Sequence, residues 1–273
     1  MVLNIGFDKR FWEDLTTLDF SNMDLENCLA ILPVAAIEQH GPHLPVKVDS
    51  TIINGLVEKI AKKLPKDSKA VFLPTQKIGK SNEHLAFPGT LSLSTETFFA
   101  TLMDIGGCVA SYGIKKLMLI NSHGGNISVL DTVTRELRVK HNMLVFNVNW
   151  FGLGMPEGVY SSEELKHGIH AGDMETSVML ALDPDNVRMT EVRNFVPKSI
   201  DIEKDFQHIG VTAGCKFGWQ AQDLNEYGAC GNAKLADAKK GEVTLEFATK
   251  KVLKVIKEIE SLPSSLISDK TAY

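Results

Sequence analysis

Four short apolar runs, separated by three longer segments with helical periodicity, fill the first 150 residues and restrict the chain to an α/β fold with a mainly parallel sheet. The runs cover residues 28–36, 70–74, 116–121 and 144–150. Helical periodicity covers residues 50–63, 95–112 and 128–141, and the second segment closes at Gly113, a residue suited to the turn that ends a helix. The order is therefore β-α-β-α-β-α-β.

Beyond Trp150 the pattern loosens through Gly152, Gly154, Pro156 and Gly158, as loops covering a pocket would. A helix follows over residues 173–182 and stops before Pro184. A last helix, residues 240–259, repeats apolar residues at helical spacing with Lys and Glu between them, the pattern of a layer packed on a sheet. Residues 261–273 read as a loosely ordered tail or an oligomer contact. With 273 residues, 44% of them hydrophobic, one domain over residues 1–273 is expected.

The net charge of -5, without any concentration of Lys and Arg, argues against nucleic acid as a partner. Cys28, Cys108, Cys215 and Cys230 lie far apart with no CxxC pair, as reduced thiols of a cytoplasmic protein do, and core packing is expected for Cys28 and Cys108. The N-terminal MVLNIGFDKRFWEDL is interrupted by charges and lacks a signal-peptide core. No segment approaches the ~20 apolar residues of a membrane span, so neither membrane nor export is expected.

Three clusters can carry chemistry. Glu38 and His40, two apart in extended chain after the first apolar run, point the same way at the carboxyl end of a strand, where open α/β sheets bind ligands. Gly41, Pro42 and Pro45 then return the chain to Asp49, which taken alone reads as an N-cap for the helix that follows. The second cluster, NSHGGN, sets His123 just past another buried strand. In the third, HAGDMETS, Asp173 and Glu175 could merely favour the positive end of a helix, while His170 is free to point elsewhere. Glu83 and His84 read equally as pocket residues or as a solvated loop pair. Carboxylate and imidazole ligands without thiolates suit Zn²⁺, Mn²⁺ or Fe²⁺, and a carboxylate between two such ions can bridge them. Ser122 adjoins His123 but no G-x-S-x-G elbow surrounds it, so it reads as local packing or a hydrogen-bond donor.

At these residues the sequence resembles the creatininase (creatinine amidohydrolase) family: LPVAAIEQHGPHLPVKVDS resembles its first signature, NSHGGN its second and HAGDMETS its third, and FPGT (residues 87–90) also has a counterpart there. The resemblance implies a three-layer α/β/α domain, assembly into a homohexamer, and two divalent metal ions, zinc foremost with manganese or iron as alternatives. Carried over position by position, Glu38 and His123 resemble ligands of one metal, His40 a ligand of the other, and Asp49 the bridge. Creatininase has a Glu two positions after the histidine of the second motif, where this chain has Gly125, and Glu175 is the implied replacement ligand.

His170, five residues before Glu175, resembles the residue that shuttles a proton to the leaving nitrogen. Trp150 matches a tryptophan of creatininase's substrate lid, whereas Lys166 stands where another lid tryptophan lies and Gly124 where creatininase has an aromatic. Trp150, His84 and Gly124 are the expected substrate contacts. The implied activity is amidohydrolysis of a C–N bond in a small substrate by a metal-activated hydroxide. Other branches act on a formamidopyrimidine, a peptide precursor or a cyclic keto-inositol, and a metal-binding protein without turnover is the reading from another class.

Overall fold

The computed structural model of the protein describes residues 9–268 and 270–272. The first eight residues of the N-terminal stretch discussed above lie outside them. In chain order the elements run α1 (Thr17–Asn22), β1 (Leu29–Val34), α2 (Val48–Lys63), β2 (Ala70–Phe72), α3 (Thr95–Ser111) and β3 (Lys116–Asn121). They continue through α4 (Ile127–His141), β4 (Leu144–Asn149), α5 (Ser162–His167), α6 (Asp173–Leu182), α7 (Ser199–Asp205), α8 (Ala221–Leu224) and α9 (Ala238–Ser261).

The sheet is all parallel in the order β2-β1-β3-β4, with Leu32 beside Leu119 and Leu119 beside Asn147. β1 and β3 are central and buried at every position, which is why they read as unbroken apolar runs. Alternate residues of β1 feed two cores. Leu29 and Ile31 pack with Ile53 and Leu56 of α2, Val178 of α6 and Val252 of α9. Ala30, Leu32 and Val34 pack with Phe98 and Leu102 of α3 and Val133 and Leu137 of α4. The result is the three-layer α/β/α architecture.

A proline in a central strand removes a ladder donor. Pro33 is tolerated because its neighbour on that side, β2, has already ended at Phe72, and its carbonyl still accepts from Gln76 N at 2.9 Å. Helix α9 crosses α6 closely: a Cβ at Gly241 would lie 2.0 Å from Ser177 O. Its far end is fixed by the buried Lys116 of β3, whose Nζ donates to Ile259 O and Glu260 O, each at 2.9 Å.

One expectation needs correction. Cys108 is exposed, because the inward stripe of α3 runs through Phe98, Leu102 and Val109 and passes it by. In the tail, left open as loosely ordered or an oligomer contact, Ser264–Leu266 forms a 3-10 turn and Arg138 Nη2 donates to Ser268 O at 3.2 Å. Among the described residues no helix is long and apolar enough to cross a membrane.

Candidate metal centre

Beyond Val34 the chain stays tied to its neighbours, with Ala35 N donating to Gln76 O at 2.9 Å and Glu38 N to Val46 O at 3.0 Å. The chain reverses between His40 and Leu44 and enters α2 with Asp49 in its first turn. His123 lies two residues past the end of β3. Because β1 and β3 are adjacent, all four side chains meet in one buried crevice.

The distances are short. His40 Nε2 lies 3.9 Å from Glu38 Oε1, 4.0 Å from Asp49 Oδ1 and 3.8 Å from Glu175 Oε2. His123 Nδ1 lies 3.2 Å from Glu38 Oε1 and 3.8 Å from Asp49 Oδ2. The two oxygens of Asp49 thus face different imidazoles, the arrangement a bridging carboxylate needs. The N-cap reading of Asp49 fails: Lys47 holds the capping position without a side-chain bond, and Asp49 lies inside the helix, 2% exposed. Ser122 Oγ donates to Asp49 O at 2.7 Å and holds this turn against β3.

Hydrogen bonds fix which nitrogen of each ring faces the centre. His40 Nδ1–H donates to Glu38 O at 3.0 Å, leaving Nε2 to point at the three carboxylates. His123 Nε2 is surrounded by Lys80 O at 3.0 Å, Ser81 Oγ at 3.2 Å and Glu83 Oε1 at 3.4 Å. It therefore keeps a proton, and Nδ1 is the nitrogen that can exchange its proton for a cation. Glu38 Oε2, His40 Nε2 and Asp49 Oδ2 are buried with no hydrogen-bond partner among the described residues. Unpaired buried polar atoms are costly, and divalent cations held among these side chains would satisfy them. Glu38, Glu83 and His123 form one group able to hold an ion, and His40, Asp49 and Glu175 form another.

The electrostatics agree. Burial, then the charge of Glu38, pushes the Asp49 carboxyl well above its ordinary range, and burial raises Glu175. Burial would raise Glu38 too, but His123, His84 and His170 outweigh it and hold its pKa well below. Burial opposes protonation of His123, yet Glu38, Glu83 and Asp49 raise its pKa far above that of free histidine. Burial, reinforced by His170, depresses His40 and brings His84 to about 4. Among the described residues the ion pairs of these four carboxylates are all with histidines, so the acids crowd together without a lysine or arginine to neutralise them.

Of the remaining expected residues, His170 and His84 touch this cluster. His170 Nδ1 is 3.6 Å from Glu38 Oε1, and its ring lies 4.1 Å from that of His40. Between His170 and α6, Ala171 takes a left-handed conformation at φ 54, which turns its N–H onto the Glu175 carboxylate. His84 is buried, with Nε2 3.6 Å from Glu38 Oε1, so the solvated-loop reading fails for it. Trp150 is buried at the end of β4 with its indole N–H unpaired. Gly124 is exposed, with nothing within 4 Å of an added Cβ. Lys166 is exposed and pairs with Glu203, and Asp173 is tied to Lys240 Nζ at 2.6 Å, away from the cluster.

Two participants were not read from the sequence in these roles. Glu83 was only a pocket candidate, yet its carboxylate fills the space beside His123: a Cβ at Gly125 would lie 2.2 Å from Glu83 Oε1. A carboxylate behind a ligating histidine orients the ring and raises its basicity. Gln39, buried, reaches His84 with its side-chain amide and His170 with its backbone carbonyl. The missing side chain at Gly125 is the one sequence signal for Glu83.

Buried acids and histidines with unpaired ligand atoms at the carboxyl edge of a parallel α/β/α sandwich are the donor set of a divalent-metal site. The family model described as creatinine amidohydrolase matches residues 13–256, and the chain belongs to the creatininase family. The mycofactocin precursor peptide peptidase of Mycolicibacterium smegmatis is 32% identical over 166 residues, which span 60% of this chain and only 62% of that protein. The creatinine amidohydrolase of Pseudomonas putida is 29% identical over 248 residues, 85% of this chain and 90% of that one. A solved structure described as "Creatininase Mn" superposes with a TM-score of 0.76 at 26% identity, covering 93% of this chain and 100% of the other.

Proposed function

We propose that the protein hydrolyses a C–N amide bond of a small substrate at a centre of two divalent ions, zinc foremost. Glu38 and His123 hold one ion, His40 and Glu175 the other, and Asp49 lies between. The observation that carries this reading is that Glu38 Oε2, His40 Nε2 and Asp49 Oδ2, buried and unpartnered among the described residues, belong to adjoining groups of side chains each able to hold an ion. Bound there, divalent cations supply Lewis acidity and lower the pKa of water toward neutrality.

His170 carries the proton. Its Nε2–H donates to Gln39 O at 2.7 Å, so Nδ1 is the nitrogen that faces the crevice. During hydrolysis the water oxygen bonds to the carbonyl carbon and the C–N bond breaks. His170 Nδ1 takes the proton that the water releases and delivers it to the nitrogen, which departs with the electron pair. Trp150 offers an apolar wall with a free N–H, and the open side of Gly124 gives the substrate room that an aromatic there would fill. The C–N assignment is favoured by the name of the Pseudomonas relative, which matches along most of both chains. Assembly into a hexamer and a cytosolic location belong to the same proposal.

The test is a panel of small linear and cyclic amides, a cyclic keto-inositol and a formamidopyrimidine, offered to zinc- and manganese-reconstituted protein. Release of amine from an amide is expected. Ring-opened acid without amine would move the protein to carbon–carbon cleavage, and formate release to deformylation. In parallel, elemental analysis of Asp49→Ala is expected to find neither ion, and near-normal metal content would contradict the shared centre.

A further inference from the structure

We infer that Gln39 is a positioning residue that holds His84 in the tautomer protonated at Nε2, making His84 a fixed N–H donor to the substrate's carbonyl oxygen. The donor role rests on the hydrolase reading above, whereas the tautomer does not.

The argument begins with the Gln39 amide. Its Oε1 accepts from Gly41 N at 2.9 Å and its Nε2 donates to Gly228 O at 2.8 Å. A backbone N–H can only donate and a backbone carbonyl can only accept, so two independent contacts orient the amide the same way. The amide nitrogen has two hydrogens. One goes to Gly228 O, and the other points at His84 Nδ1, 2.7 Å away. Nδ1 must then be the lone-pair nitrogen, and the ring proton of neutral His84 sits on Nε2, which faces Glu38 Oε1 at 3.6 Å.

A nitrogen that carries a proton does not bind a cation. In this tautomer His84 is a donor and not a ligand, although its ring lies 4.3 Å from that of His170 and 6.4 Å from that of His123. The same residue sets the other ring the opposite way: Gln39 O accepts the Nε2–H of His170, so His170 turns a lone pair toward the crevice. One residue thus pairs a fixed donor with a proton carrier. In amide hydrolysis the carbonyl oxygen gains negative charge as water adds, which is what a fixed donor stabilises.

The frame around Gln39 is built for this. Gln39 N donates to Thr90 Oγ1 at 3.0 Å, and Thr90 Oγ1 donates to His84 O at 3.3 Å, tying the FPGT stretch to both residues. Gly228 adopts φ +74, and a Cβ there would lie 2.5 Å from Gln39 Oε1, so this loop needs glycine to admit the amide.

The experiment uses zinc-loaded protein labelled with ¹⁵N-histidine, in which long-range ¹H–¹⁵N spectra separate protonated from unprotonated ring nitrogens. Absence of one signal set in His84→Ala assigns the ring. The expected wild-type result is an unprotonated Nδ1 and a protonated Nε2. The isosteric Gln39→Glu, which can only accept, should move the proton to Nδ1. A wild-type His84 protonated at Nδ1, or a tautomer unchanged in Gln39→Glu, overturns the inference. The wild-type spectrum decides even if the variant fails to fold, and it needs no substrate, so it stands or falls apart from the hydrolase reading. With a substrate in hand, His84→Ala should lower kcat about 10²–10³-fold with KM little changed. An unchanged kcat beside the expected tautomer would remove the donor role alone.

Discussion

At the scale of the residue, the centre is an arrangement of protons as much as of ligands. Glu38 O and Lys80 O each take a ring N–H, and so decide that His40 uses Nε2 and His123 uses Nδ1. Glu38, His40 and His170 also come within reach of one ion, so His170→Ala separates ligand from proton carrier. Metal content measured by elemental analysis should be unchanged while turnover falls about 10²–10⁴-fold; loss of an ion would make His170 a ligand.

His43 gives a test of pH away from the ligands. It is buried against Phe195, and burial brings its pKa from 6.5 to about 4. The unfolded chain therefore takes up this proton near 6.5 and the folded chain only near 4, so the contribution is complete above 6.5 and is lost as pH falls through 4. Denaturant titrations of His43→Gln between those values should show a shallower loss of stability than wild type, by at most about 1.4 kcal/mol per pH unit. Equal slopes would exclude His43 as a source of acid lability. Glu38, His40 and His123 were legible in sequence because strand ends and glycine turns marked them, whereas Asp49 taken alone read as a helix cap and came to the site only through the family resemblance. Glu83 and Gln39 were not legible, because their roles depend on which side-chain atoms face which backbone groups, and no spacing encodes that.

At the scale of the element, β3 and α6 run over the residues expected, since each is bounded by strong signals: Gly113 precedes β3 and Pro184 follows α6. Helix α2 starts at Val48, earlier than expected, because Asp49 was read as a cap and is a site residue inside the first turn. The short α5, α7 and α8 were not read at all, being too brief for periodicity to register. Packing between layers was equally hidden. Gly241 lies in a helix whose pattern tolerates any small residue, yet a methyl there meets Ser177 O, backbone of α6 that cannot move aside. Gly241→Ala should lower stability by about 1–3 kcal/mol in thermal or denaturant unfolding. Gly113→Ala, where the added methyl meets nothing but φ is +88, should lose about 1 kcal/mol through backbone strain alone. Equal or reversed losses would show that the α6–α9 crossing is looser than its distances imply.

At the scale of the whole molecule, the crevice joins fold stability to cation binding. Residues after β1, in α2, after β3 and in α6 meet there, so their carboxylates are pressed together only in the folded chain. Without a cation, burial and Glu38 raise Asp49, and burial raises Glu175. For an acid with a raised folded pKa, the stabilising contribution is complete below its unfolded value, about 4, and is lost as pH rises through the folded one. Metal-free protein therefore carries a growing electrostatic penalty toward neutral and alkaline pH. A cation reverses the sign, because it binds the ionised carboxylates and releases the protons that the buried acids retain. Each site held at a thousandfold excess over Kd adds about 4 kcal/mol to the folded state. The expected result is a higher Tm for zinc-loaded than for chelator-treated protein, with the difference larger at pH 8 than at pH 6. Asp49→Asn should abolish that difference while leaving the metal-free protein at least as stable as wild type, since it removes the charge that burial and Glu38 oppose. A Tm difference that is absent, or that narrows as pH rises, would mean that these carboxylates meet for the sake of the fold and hold no cation.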